Sequence, residues 1–201
     1  NNSPGTGISG LTLRNFTAAG VLVNDGTYTA VIEDCVFDAE GVAGNDREGI
    51  SAFSCPCEIR NCIFTSYATD HLEYAIAAHP SGKPLVIQSC VVDKGGTGIY
   101  VYGGGPLTIE DNTCRNAAGK GIDITTSVFQ AQVNRNVVTG PGFMGIKCTT
   151  DGSVALLVHN DSWGFQFNYF CNGSSSVPSG NISSDPRLCD VGVNLTSPCA
   201  P

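Results

Sequence analysis

Ionisable side chains concentrate in two regions of this chain. The first comprises two polar insertions, Asp38 to Gly49 and Thr65 to Tyr74, which hold Asp38, Glu40, Asp46, Arg47, Glu48, Asp70, His71 and Glu73. Loop carboxylates are the ligands that Ca²⁺ takes, and a His beside an acid is an acid/base pair. Asp46, Glu48, Asp70 and Glu73 are therefore candidate metal ligands, with Ca²⁺ the cofactor they would suit, and His71 is a candidate catalytic group. The plainer reading is two solvated loops with local ion pairs. The second region is a set of short segments in which polar or aromatic residues alternate with apolar ones: Ser51 and Phe53, Ala77 and His79, Tyr100 and Tyr102, Asp123 and Thr125, Lys147 and Thr149. Phe53, His79, Tyr100, Tyr102 and Asp123 make a candidate glycan-binding strip, because rings stack on pyranose faces while a carboxylate bonds hydroxyls. Lys147 and Asp123 are also candidates for abstracting a proton from a uronic acid. As a bare cross-strand ion pair at a surface they would be worth little.

These residues need a scaffold that sets segments side by side, and the sequence supplies one by repetition. An opening segment recurs at Val21, Ile50, Ile76, Ile99, Ile122 and Ile146, with spacings of 29, 26, 23, 23 and 24 residues. A second begins at Ile32, Ile59, Ile87, Ile109, Val133 and Leu157, and three residues later come Cys35, Cys62, Cys90, Asn112, Asn136 and Asn160. A period of this length, carried by short β-branched strands and Gly/Asn corners, is the mark of stacked one-turn units. Rungs stack about 4.8 Å apart, so each inward column has to be apolar or satisfy its own polar atoms. Asn112, Asn136 and Asn160 are expected to form a ladder of stacked amides, with Asn15 in the same column and the three cysteines as small apolar substitutes. The fold class is all-β, a parallel β-helix of about seven coils.

Bulk properties narrow the function. The chain has 201 residues and a net charge of −8, which speaks against nucleic acid as a partner, since that needs clustered Lys and Arg. No apolar run reaches membrane-spanning length. Ten cysteines, an even number, suggest an oxidising compartment, hence secretion, with Cys35–Cys62 and Cys189–Cys199 as the pairs expected to bond. Six N-x-S/T sequons begin at Asn1, Asn15, Asn160, Asn172, Asn181 and Asn194. An inward Asn cannot carry a glycan, so Asn172, Asn181 and Asn194 are the candidate glycosylation sites.

On the repeats and their corner columns, residues Gly7 to Gly164 resemble the right-handed parallel β-helix proteins of the pectin-lyase-like superfamily. The resemblance implies the fold and, because that fold carries many activities, implies function only weakly. Pectate lyases of this group hold Ca²⁺ with several carboxylates on one sheet beside a basic residue. Here the matching face offers Asp123 alone with Lys147, so the catalytic assignment does not transfer. The coils are assigned to residues 1–164. Residues 165–201, an aromatic strand, a Ser/Gly-rich linker and a tail closing on Cys199, resemble the terminal segment of secreted bacterial β-helix proteins and are assigned as a cap.

No amphipathic helix precedes Gly7, so the first coil is expected to be covered by an adjoining domain or another copy of the chain, with Ile8, Phe165 and Phe167 as assembly residues. Two functions follow: a secreted, self-associating subunit of an extracellular fibre, sheath or adhesin, or a carbohydrate-active protein. The latter would be a uronic-acid polysaccharide lyase or epimerase, or a non-catalytic binder of extracellular polysaccharide.

Overall fold

The structure, a computed structural model, describes residues 7–39, 48–65, 73–126, 131–150, 155–173, 175 and 178–185. Every strand pairing among them is parallel, and none of them is helical. One sheet stacks Gly7–Ser9, Ala30–Glu33, Cys57–Arg60, Leu85–Gln88, Leu107–Glu110, Ala131–Asn134 and Ala155–Val158. Its seven rungs are separated by about six full turns, matching the coils read from the repeat. A second stack runs from Thr12–Arg14 through Val36–Asp38 and Ile63–Thr65 to Asp161–Trp163. A third carries Ala19–Asn24, Glu48–Phe53, Tyr74–His79, Met144–Thr150 and Phe167–Cys171, and in mid-stack the second and third join as the long strands Val91–Tyr102 and Thr113–Thr126.

The registers follow the apolar columns. Ile8, Ile32, Ile59, Ile87, Ile109, Val133 and Leu157 lie in one line, and Val21, Ile50, Ile76, Ile99, Ile122, Ile146 and Tyr169 in another. All but the end residues of these lines are fully or almost fully buried, each Ile or Val contributing roughly 1.5–3 kcal/mol. Phe37 and Phe64 stack with ring centroids 4.8 Å apart in the second column. A glycine column opens the third stack. A Cβ on Gly98 would sit 3.0 Å from Cys114 Sγ and 2.6 Å from the Gly121 carbonyl oxygen, and one on Gly121 would overlap Val138.

The amide ladder forms as the corner column requires. Asn136 Oδ1 accepts from the backbone N and Nδ2 of Asn112, both at 3.0 Å, while Asn136 Nδ2 donates to Ile109 O at 2.9 Å and to Asn160 Oδ1 at 2.9 Å. The residue before each rung, from Asp34, Asn61, Ser89 and Asp111 to Arg135 and His159, adopts positive φ between 53° and 58°, which turns the next side chain inward. Arg135 is an unusual occupant of that region, and Asp111 holds it with two hydrogen bonds of 2.7 and 2.9 Å.

Several expectations are corrected. Asn15 is exposed with φ 55°, at the corner after Thr12–Arg14, and lies outside the ladder. Asn181 is in it: its Oδ1 accepts from Asn160 Nδ2 at 2.8 Å and its own Nδ2 donates to Leu157 O at 2.8 Å. An amide nitrogen turned inward in this way is not a glycan acceptor. Asn172 is exposed, whereas Asn194 lies outside the described residues.

Cys35 and Cys62 are free thiols rather than a disulfide. Each thiol instead donates within its own coil, Cys35 to Glu33 O at 3.2 Å and Cys62 to Arg60 O at 3.3 Å. Cys189 and Cys199 lie outside the described residues.

The coils also do not stop at Gly164. Phe167–Cys171 is one more rung, pairing Ile146 with Tyr169 and Cys148 with Cys171. Phe165 is buried and Phe167 half-buried against Phe143, their rings 5.3 Å apart, so neither stands free as an assembly surface. The Tyr169 hydroxyl, within 2.8 Å of the Asn160 and Ile182 carbonyl oxygens, ties the segment around Asn181 over this rung.

Candidate functional site

The outer face of the third stack carries a groove of about 630 Å³ lined by Tyr74, Thr97, Tyr100, Gly119, Lys120, Asp123, Thr125, Phe143 and Lys147. In-register stacking assembles it: Tyr100, Asp123 and Lys147 are direct neighbours on three successive rungs. Alternation puts all three outside the core, yet Asp123 is only 2% exposed, because its neighbours close over it. It is therefore not the weak surface partner that its position implied.

Asp123 is held from both sides. Lys147 Nζ lies 3.0 Å from Asp123 Oδ1 and Lys120 bonds Oδ2. Thr125 Oγ1 donates to Oδ1 at 3.0 Å and accepts from Lys147 Nζ at 2.9 Å. The Tyr74 and Tyr100 rings stack 5.0 Å apart. Burial, and next the Asp123 carboxylate, push the Tyr100 hydroxyl above its usual value, so it is a neutral hydrogen-bonding group at physiological pH.

Lys120, Tyr74 and Phe143 were not among the residues singled out by alternation. Lys120 enters the face through an irregularity: Gly95 pairs with Ala117, but Thr97 pairs with Lys120. One extra residue on the Thr113–Thr126 strand makes a bulge, a device that re-aims a side chain. The sequence carries its trace, since Cys90 to Asn112 is 22 residues while Ile99 to Ile122 is 23.

The remaining candidates separate from the groove. Phe53, His79 and Tyr102 form a strip of their own, with ring centroids 6.5 Å apart for the first pair and 5.2 Å for the second, and Ser81 Oγ lies 2.9 Å from His79 Nδ1. Asp46, Asp70 and His71 lie outside the described residues, while Glu73 is fully buried just before the strand Tyr74–His79 and Glu48 is half-buried at the start of the adjacent strand Glu48–Phe53. Among the described residues no three His, Cys, Asp or Glu side chains converge as a metal site would need.

Parallel coils, three strand stacks in two sheets and an inner amide ladder define a β-solenoid whose outer face carries a charged, ring-walled groove. The profile of a family described as "Right handed beta helix region" matches residues 1–162, and the chain belongs to that family. No curated protein and no solved structure matches it.

Proposed function

We propose that this is an extracellular β-helix that binds a glycan in the groove of its third stack, without cleaving it. The observation that carries this is the joining of stacked aromatic walls, Tyr74 and Tyr100, to a pinned set of polar donors, Lys120, Lys147 and Thr125, within one groove. Rings cover sugar faces and the donors fix hydroxyls, which is how a small number of placed polar groups gives orientation in a largely apolar site. Hydrolysis by the usual route needs a pair of carboxyl groups flanking the bond, whereas among the described residues Asp123 is the one acid in the groove lining and is already bonded to both lysines.

A screen of the purified protein on an oligosaccharide array, repeated with Tyr100→Ala, tests this. Binding that the substitution abolishes supports it, and binding that Tyr100→Ala leaves unchanged refutes it. Release of unsaturated product absorbing in the near ultraviolet would refute the non-catalytic part.

A second reading, self-association, is favoured by a separate observation. A hollow of about 340 Å³ at the first coils is lined by Ile8, Val21, Leu22, Val23, Tyr28 and Val31 among others, and Leu22 and Tyr28 are 65% and 60% exposed. Apolar surface gathered beside strands that end their sheet among the described residues suits another copy of the chain. Light scattering decides it: oligomers that Leu22→Asp dissolves support the reading, and a monomer at high concentration removes it.

A further inference from the structure

The groove's charges and donors also restrict what kind of glycan fits. We infer that it seats one singly charged acidic group carried on a sugar, a carboxylate or a sulfate half-ester, and that Asp123 sets this valence; the inference rests on the glycan reading above. Among the described residues, those of the lining that are charged are Lys120, Lys147 and Asp123. Two ammonium groups and one carboxylate leave a local charge of one positive unit in a chain whose net charge is −8. One monoanion neutralises that unit. A dianion would leave an uncompensated negative charge beside a carboxylate that is 2% exposed, which a partly desolvated site disfavours.

Donor counting shows that the groove can hold one such group, while the choice of valence rests on the charge balance. Each ammonium has three N–H groups. Among the described residues Lys120 has one engaged, on Asp123, while Lys147 has two engaged, on Asp123 and Thr125. The three that remain belong to side chains that are 33% and 19% exposed and line the groove. Three donors from adjacent rungs are enough for the oxygen atoms of one acidic group. Asp123 is too buried to reach such a ligand directly, so it is a positioning residue, and it cancels one of the two lysine charges.

Titration calorimetry with three probes tests this: a uronic-acid tetrasaccharide, its carboxyl-reduced neutral counterpart, and that neutral sugar as a phosphate monoester. The acidic tetrasaccharide is expected to bind at least about tenfold tighter than the neutral one, the worth of a charge-assisted hydrogen bond. Lys120→Gln, which brings the local charge to zero, should erase that preference, the acidic and neutral probes then binding within about twofold of each other. Asp123→Asn should shift selectivity toward the phosphate monoester, a change that loss of fold cannot produce. If Asp123→Asn does not fold, by circular dichroism, the Lys120→Gln result decides. Neutral and acidic probes binding equally would overturn the inference while leaving the glycan reading intact, and no binding of any probe would overturn both.

Discussion

Replacing Asn136 by Ala should cost about 4 kcal/mol of stability. The amide is fully buried and serves five contacts: it accepts from the backbone N and Nδ2 of Asn112 and donates to Ile109 O, Asn134 O and Asn160 Oδ1, all at 2.9–3.0 Å. Asn112 Nδ2 keeps Ile87 O and Asn160 Oδ1 keeps the backbone N of residue 136. The Asn112 N–H and the second N–H of its Nδ2 lose these partners outright, at about 1–3 kcal/mol for each buried group left unmade. Asn136→Cys should recover roughly half of the loss. In the earlier coils a cysteine fills the same position, its S–H donating to a carbonyl of its own coil, as Cys90 does to Gln88 O at 3.4 Å, and its sulfur accepting from the backbone of the rung before, as Cys62 does from Cys35. Urea unfolding followed by far-ultraviolet circular dichroism measures both. A loss below about 1 kcal/mol for Ala, or a Cys variant no better than Ala, would show that the ladder does not carry the corner.

The buried thiols make stability fall in alkali. Burial raises Cys57, Cys114 and Cys148 from 9.0 to about 12 each, so the folded chain keeps protons that the unfolded chain releases above pH 9. Their contribution is intact below pH 9 and is lost as pH rises toward 12, at about 1.4 kcal/mol per pH unit per thiol; melting temperatures across that window should fall steeply, and a flat profile would contradict the burial. Gly121→Ala should lower the melting temperature, because its Cβ would overlap Val138 and lie 2.9 Å from Gly145 O, whereas Ala75→Gly, at the equivalent place in another coil, should change little beyond its loss of backbone restraint.

The repeat was legible because an inward column tolerates few residue types, so Ile, Val and Asn recur wherever the chain turns into the core. The ladder was legible for the same reason as far as Asn160. Its fourth member was not, because the linker before Asn181 has no strand to keep count, although the separation of 21 residues is close to the period. The half-face of Tyr100, Asp123 and Lys147 came from alternation alone. Lys120 did not, since a bulge breaks alternation and only the change from 22 to 23 residues between adjacent columns betrays it. Cysteine in the corner column is ambiguous in sequence, because a buried thiol and half of a disulfide occupy the same small volume; in the structure Cys35 and Cys62 are free and each donates to a carbonyl of its own coil.

The most direct test of the glycan site is a crystal structure of the protein with an acidic oligosaccharide bound. The expected density has a sugar ring against Tyr100 and Tyr74, with its acidic group within hydrogen-bonding distance of Lys120 and Lys147. A sugar found instead on the Phe53, His79 and Tyr102 strip, or an empty groove at saturating ligand, would contradict the account.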